Sequence, residues 1–239
     1  MKTALLTLAF AAAALAAQAQ PAAAPAATAA AALPGTAVPA DAYTTLMAAT
    51  IAELMSTGDP AALKAAAAKF ERAATVAPKD WLPRYYQAYG LVINAFQSKE
   101  DGDTRDQTLD QAEAALAKAR QLHGDESELL TLQAYVYQAR LTISAMLRSV
   151  KYSQLVAETV AKAQAANPAN PRPYLVEANN VYFTPKMFGG GATAARPLYE
   201  QAQARYAAFR PAGPLAPSWG QRQVQGRLKQ YETAATAAK

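Results

Sequence analysis

The chain has 239 residues, a formal net charge of +5 at pH 7, one histidine and no cysteine. The lack of cysteine excludes disulfides, thiol catalysis and a lipid anchor attached to a cysteine behind a cleaved signal. The small positive charge, with no stripe of Lys and Arg interleaved with aromatic residues, argues against nucleic acid as a partner.

The N-terminus has the three-part layout of a secretory signal peptide. Lys2 precedes an uncharged apolar run from Ala4 to Ala17, which is too short to span a bilayer. Ala17 and Ala19 are small residues at the two positions that signal peptidase reads. We predict a signal peptide over 1–19 and export, to the periplasm where the host has two membranes. An Ala-rich start that stays on the protein is the alternative.

Residues 20–40 form the next predicted segment, a disordered or polyproline-like linker. Prolines from Pro21 to Pro39 interrupt it, and no charge occurs before Asp41. Residues 41–239 remain as one domain, long enough to bury a core. No later apolar run approaches the length of a membrane span, so we predict no integral membrane segment after signal removal.

Helix is the predicted secondary structure for most of 41–239, because strong helix formers dominate and apolar residues recur every three or four positions. Pro and Gly fall between the segments. We predict first helices of four successive pairs at 41–57, 81–97, 126–148 and 171–183, second helices at 60–77, 106–122, 152–166 and 192–209, and a last helix at 217–236.

The second helices share a pattern of a small residue, a bulky one, a small one and then a stop. It is clearest in Ala66, Phe70, Ala73 and Pro78. Small side chains let two helices approach closely, the bulky one fills the gap between them, and proline ends the helix. The pattern recurs in Ala112, Leu116, Ala119 and Gly124; in Val156, Val160, Ala163 and Pro168; and more weakly in Ala195, Tyr199 and Ala202.

This pattern resembles the tetratricopeptide repeat (TPR) family, and Ala88, Ala134 and Ala178 supply the small residue that the family has in its first helices. The resemblance implies an all-α fold: a right-handed superhelical stack of about four helix hairpins, a TPR-like solenoid, with a C-terminal capping helix. The repeats here are longer than the ~34 residues of the family. The tryptophan and leucine expected in each first helix are also missing.

The resemblance also implies a concave groove lined by the first helices. Tyrosines, amides and an arginine there suit a peptide or a small organic ligand, since they combine flat apolar area with polar edges. The alternative is that the tyrosines pack between hairpins. We interpret Trp81 and Trp219 as packing residues near helix starts. The predicted groove residues are Tyr89, Thr131, Tyr135, Gln138, Arg172, Asn179 and Tyr182.

Three stretches contain residue types that occur in chemical sites. The glycines from Gly189 to Gly191 could cradle an anion, but no P-loop pattern surrounds them, and a tight turn between helices explains them better. They resemble a turn in exported repeat proteins associated with TRAP-type solute uptake. His123 stands alone, so it predicts no metal site. The acids Glu100, Asp101, Asp103 and Asp106 lack the terminal ligand of a calcium loop, and a solvated loop is expected there.

These observations predict no catalytic residue, no metal and no cofactor, so an enzyme with converging acids is the weakest hypothesis. The leading hypothesis is an exported TPR-type interaction module that binds a protein or peptide segment in its groove, as an adaptor or assembly factor. The alternative is a small-ligand binding protein that assists solute uptake, similar to the TRAP-associated proteins. That alternative needs a closed pocket with a positive charge, for which Arg172 or the glycine turn from Gly189 to Gly191 is a candidate.

Overall fold

The structure, a computed structural model, describes residues 40–237, and this part of the chain is helical without a β-strand. The predicted signal peptide 1–19 and the linker up to residue 39 lie outside the described residues. A 3₁₀ turn, Lys186–Phe188, stands between the seventh and eighth helices. The helices are α1 Ala40–Ser56, α2 Pro60–Val76, α3 Leu82–Gln97, α4 Gly102–Gln121, α5 Glu126–Ile143, α6 Ala145–Ala166, α7 Arg172–Phe183, α8 Ala192–Ala208 and α9 Gln221–Ala237.

Aspartate side chains define three of the helix starts. Asp59 accepts a hydrogen bond from the backbone N–H of Ala62 at 2.8 Å, and Asp125 accepts one from Glu128 at 2.9 Å. Asp101 likewise accepts from Thr104 at 2.9 Å. Each bond satisfies a backbone donor that the first turn of a helix leaves without a partner.

Several predicted helix boundaries were wrong. The acidic stretch that we expected to be a loop is the start of α4, because Asp101 caps the helix and residues from Gly102 onward are helical. The predicted helix 126–148 ends at Ile143, and Ser144, with non-helical backbone, separates it from α6. No proline or glycine marks that break. The final helix begins four residues later than predicted, at Gln221.

The helices pack as pairs that follow one another along the chain. Each helix contacts the next, and the odd-numbered helices also contact one another: α1 with α3, α3 with α5 and α5 with α7. The small and bulky residues of the repeat pattern are buried in this core, including Phe70, Leu116 and Tyr199. The all-α class is therefore confirmed, while the handedness of the stack and the TPR assignment stay predictions.

Residues 209–220, which we call the C-terminal strap, connect α8 to α9 without regular structure and lie against the odd-numbered helices. The hydroxyl of Tyr86 on α3 donates to the backbone carbonyl of Leu215 at 2.9 Å. The hydroxyl of Tyr206 on α8 donates to the carbonyl of Trp219 at 3.0 Å. Two tyrosines therefore fix the strap at two points.

Across residues 40–237, no helix combines the length and the apolar character that crossing a bilayer requires.

Candidate ligand-binding cleft

Trp219 of the strap lies between two of the predicted groove tyrosines. Its ring centroid is 4.9 Å from that of Tyr89 on α3 and 5.5 Å from that of Tyr135 on α5. Its indole Nε1 donates to the hydroxyl of Tyr85 at 2.7 Å, and only 3% of the residue is exposed. Stacking of this kind adds to the free energy gained by burial. At this point the face of the odd-numbered helices is covered by the chain's own residues.

Beside Trp219, a buried ion pair connects α5 to α7. The guanidinium of Arg172 donates to both carboxylate oxygens of Glu128, with Nε at 2.9 Å from Oε1 and 2.8 Å from Oε2. The Tyr85 hydroxyl donates to the same carboxylate at 2.9 Å. Arg172 is 1% exposed and Glu128 5%. Two charges this deeply buried are tolerated only when each is paired and hydrogen-bonded.

The ionisation states in this cluster follow from burial and charge. Burial raises the pKa of Tyr85 well above its usual value, and the negative charge of Glu128 raises it further, so the phenol remains a donor. Burial by itself would lower the pKa of Arg172, but attraction to Glu128 outweighs this and the net pKa lies above its usual value. The arginine therefore stays positively charged.

An open cleft of about 850 Å³ lies at the side of this ion pair. It is lined by the starts of α3, α5 and α7, by the last turn of α8 and by the strap. Apolar surface comes from Trp81, Leu82, Phe209, Leu215 and Pro217. A cleft of this size, mostly apolar with a few charged groups, has the character of a small-molecule site.

Three arginines line the same cleft. Arg172 lies under the ring of Phe209, with its guanidinium carbon 4.7 Å from the ring centroid. Arg205 of α8 lies 3.8 Å from the centroid of Tyr174 and donates to the carbonyl of Pro168. Arg210 of the strap is exposed. The lining also includes two carboxylates, so the arginines outnumber the acids by three to two and the border carries a net positive charge.

The predicted groove residues are not gathered in one open groove. Six of the seven are buried, and several have partners inside the chain. Thr131 donates to the carbonyl of Ser127 at 2.6 Å, Gln138 to that of Val176 at 2.6 Å, and Asn179 accepts from Tyr199 at 2.7 Å. Tyr182 is half-buried beneath the guanidinium of Arg227, 4.0 Å from its ring centroid. Of the seven, Arg172 lines the cleft.

The three other stretches have structural roles. The backbone N–H groups of Gly189, Gly190 and Gly191 donate to carbonyls within the turn and at the end of α7, so they are not free to cradle an anion. His123 is exposed at the end of α4 with a positive φ of 56°. Asp106 binds Arg140 and Arg148. In residues 40–237, no cluster of three or more His, Cys, Asp or Glu could hold a metal ion.

Comparison with known proteins gives one informative match. The structure is similar to that of the HusA haemophore from Porphyromonas gingivalis, with a TM-score of 0.71 and 36% sequence identity over 79% of this chain and 92% of that chain. The chain belongs to the HusA haemophore family. No protein-family model and no curated protein matches it.

Within this HusA-family fold, sequence reasoning missed most of the cleft. Trp81 was interpreted as a packing residue, and Phe209, Arg205 and Arg210 were not singled out. The signal that could have found them is the run from Arg210 to Pro217, where charge, Pro and Gly interrupt the helical pattern before the aromatic Trp219. Such an interruption between two helices predicts an irregular segment.

Proposed function

We propose that this chain binds a haem-type tetrapyrrole as cargo in the cleft beside the C-terminal strap. The observation that carries the proposal is an open, largely apolar cleft of about 850 Å³ in a chain 36% identical to a haemophore. The proposal follows the small-ligand hypothesis that the sequence raised, and the proposed activity is binding and not catalysis.

The chemistry of the cleft fits a flat apolar ring. Trp81 and Phe209 offer aromatic faces, and Leu82, Leu215 and Pro217 offer aliphatic area. Burial of apolar ligand surface contributes about 25 cal/mol for each Å² removed from water, so a large ring gains much of its affinity from such contacts alone. A ring system of tetrapyrrole size also suits the volume range of known ligand clefts.

Iron ligation is not part of the proposal. The side chains that most often bind haem iron are His, Met, Cys and Tyr, and none of these is among the described residues that line the cleft. The single histidine, His123, is exposed at the end of α4 and is not one of the lining residues. We therefore expect the ring, and not its metal, to provide recognition.

A binding titration with a matched pair of variants tests the proposal. Ala208 lines the cleft at the end of α8, whereas Ala204, one turn earlier on the same helix and also exposed, does not. We expect saturable haem binding by the wild-type chain, followed through the Soret absorbance. Ala208→Trp fills the cleft and weakens binding at least about tenfold, equivalent to 1.4 kcal/mol. Ala204→Trp binds as wild type does.

Two results would contradict the proposal in different ways. If the wild-type chain shows no saturable haem binding, the proposed function is wrong. If Ala208→Trp binds as tightly as Ala204→Trp, the ligand binds elsewhere on the chain.

The peptide-adaptor hypothesis has less support. Its groove requires open space along α3 and α5, and Trp219 fills the space between Tyr89 and Tyr135. A peptide would have to displace the strap, whose carbonyls accept bonds from Tyr86 and Tyr206. No comparable rearrangement is needed for a ligand in the cleft.

We also retain two finer predictions as proposals: a right-handed TPR-type stack of helix pairs, and export directed by residues 1–19. The packing of odd-numbered helices on one another supports the first. The signal layout supports the second. Mass spectrometry of the chain recovered outside the cytoplasm tests export, since cleavage after Ala19 predicts an N-terminus at Gln20.

A further inference from the structure

The arginine border of the cleft has donor groups that the protein itself does not use. In the described residues, three buried side-chain nitrogen or oxygen atoms lack a hydrogen-bond partner: Nη1 of Arg172, Nε of Arg205 and Oδ1 of Asn94. The first two belong to residues that line the cleft. Leaving a buried donor without a partner is unfavourable, and more so when it is charged, so two of them beside one cleft need an explanation.

The carboxylates near the arginines are already engaged. Glu128 accepts hydrogen bonds from Arg172 and from Tyr85. Asp125 caps α5 by accepting from the backbone N–H of Glu128 at 2.9 Å. Arg205 and Arg210 have no carboxylate partner among the ion pairs of the described residues, and they bond instead to backbone carbonyls.

We infer that this border, formed by Arg205 and Arg210 with Arg172 beneath Phe209, is a subsite for the carboxylate groups of the ligand. The inference rests on the proposed function and deepens it: the cleft selects flat apolar rings that carry acids over neutral rings of the same shape. A guanidinium matches a carboxylate in geometry and charge, and its bonds to an anion are about twice as strong as neutral ones.

The neighbouring aromatic rings strengthen this assignment. Phe209 covers Arg172, and Tyr174 lies against Arg205. Packing on an aromatic face restricts the movement of the guanidinium and shields one of its faces from water. Its edge remains able to bind an anion. Exposed surface arginines gain little from pairing because they are mobile and hydrated, whereas Arg172 is buried and Arg205 is half-buried against Tyr174.

The test compares one macrocycle in two forms, mesoporphyrin with its two free acids and the same ring with both acids converted to primary amides. Wild type is expected to bind the diacid at least about tenfold more tightly than the diamide, a difference of 1.4 kcal/mol. The preference for the diacid should also decrease as salt rises. The diamide serves as the reference for contacts made by the ring alone.

Three variants complete the design. Arg205→Gln and Arg210→Gln should each lower diacid affinity about three- to tenfold and leave diamide affinity within about twofold. Arg196→Gln is the control: Arg196 lies on α8 as Arg205 does, but it pairs with Glu200 on the exposed surface and does not line the cleft. It should bind both ligands as wild type does. Arg210 makes only local backbone bonds, so its replacement should leave the fold intact. Arg210→Gln therefore still tests the subsite if Arg205→Gln unfolds.

The outcomes separate the inference from the proposed function. If the wild-type chain binds diacid and diamide equally, or if Arg205→Gln and Arg210→Gln keep the full preference for the diacid, the carboxylate subsite is wrong while the proposed function stands. If neither macrocycle binds, the proposed function is wrong and the subsite falls with it.

Discussion

Glu128 illustrates how one side chain connects the fold to the cleft. Its carboxylate accepts from Arg172 on α7 and from Tyr85 on α3, so a single acid on α5 holds three first helices together. Tyr85 in turn accepts from the indole of Trp219, which extends the network into the strap. Because all four groups are buried, each depends on the others for its hydrogen bonds.

Replacement of Glu128 should therefore be costly. Glu128→Gln keeps the shape of the side chain but leaves the Arg172 charge buried without compensation, and we expect a loss of about 3–5 kcal/mol in the free energy of unfolding, measured with urea. Glu126→Gln, two residues earlier, removes a surface pair with Arg120 and should cost less than about 1 kcal/mol. Equal losses in the two variants would show that the buried pair contributes no more than a surface one.

Gly220 is the residue that lets the strap turn into α9. Its φ is +102°, and a Cβ there would lie 2.0 Å from the hydroxyl oxygen of Tyr206 and 2.8 Å from Cδ2 of Leu175. Gly220→Ala should destabilise the fold by about 2 kcal/mol or more, because the added methyl group disturbs the Tyr206–Trp219 contact as well as the backbone.

Gly226→Ala provides the matched control, measured in the same thermal unfolding experiment. Gly226 lies inside α9, and a Cβ there would meet nothing within 4 Å. Alanine is the better helix former by about 0.5–1 kcal/mol, so this variant should be slightly more stable than wild type. A destabilised Gly226→Ala together with a neutral Gly220→Ala would contradict the packing described for the strap.

At the scale of elements, an ionic cluster surrounds the break between α5 and α6. Asp106 of α4 accepts from Arg148 of α6 at 2.6 Å and from Arg140 of α5 at 2.9 Å. Hydrogen bonds from Arg148, and then attraction to both arginines, hold the pKa of Asp106 below its usual value. The cluster connects three helices around the break at Ser144.

The lowered pKa predicts a pH dependence. The carboxylate has a lower pKa in the folded than in the unfolded chain. Its contribution to the free energy of unfolding is therefore complete above the unfolded pKa of about 4, and it is lost as pH falls through the lower pKa of the folded chain. Asp106→Asn should cost about 1 kcal/mol at pH 7, and its deficit relative to wild type should shrink in acid unfolding measurements. Asp103→Asn, in the exposed first turn of α4, should cost less than about 0.5 kcal/mol at pH 7. A deficit that stays constant down to pH 2 would contradict the assigned charge pairing.

The elements also show what sequence patterns can and cannot predict here. The small–bulky–small pattern correctly located the buried faces of the helices, because close packing constrains residue size at fixed spacing. The break at Ser144 was missed, since no proline or glycine marks it and the pair beside it, Arg148 with Asp106, joins positions 42 apart. The start of α4 was missed although its signal, the N-cap of Asp101, is local. The cleft was missed because Trp81, Arg172 and Phe209 meet only after the strap has folded back over the first helices.

At the scale of the whole molecule, the cleft is built from segments far apart in sequence. Trp81 and Leu82 come from the start of α3, Arg172 from α7, and Phe209 and Leu215 from the strap. A ligand held among them contacts parts of the chain that separate on unfolding. Binding should therefore stabilise the entire domain and not one helix pair, and a single cooperative transition is the expected behaviour.

This coupling gives a prediction that also tests the role of iron. At a free ligand concentration of 100 times Kd, binding stabilises the folded state by about 2.7 kcal/mol, which should raise Tm by about 5–10 °C for a domain of this size. Because the described lining residues include no His, Met, Cys or Tyr, metal-free protoporphyrin should give a shift within about 2 °C of that given by haem at equal saturation. Ala208→Trp should lose both shifts, and Ala204→Trp should keep them. A large shift with haem and none with the metal-free ring would mean that a side chain outside the cleft binds the iron, and His123 would be the first residue to replace.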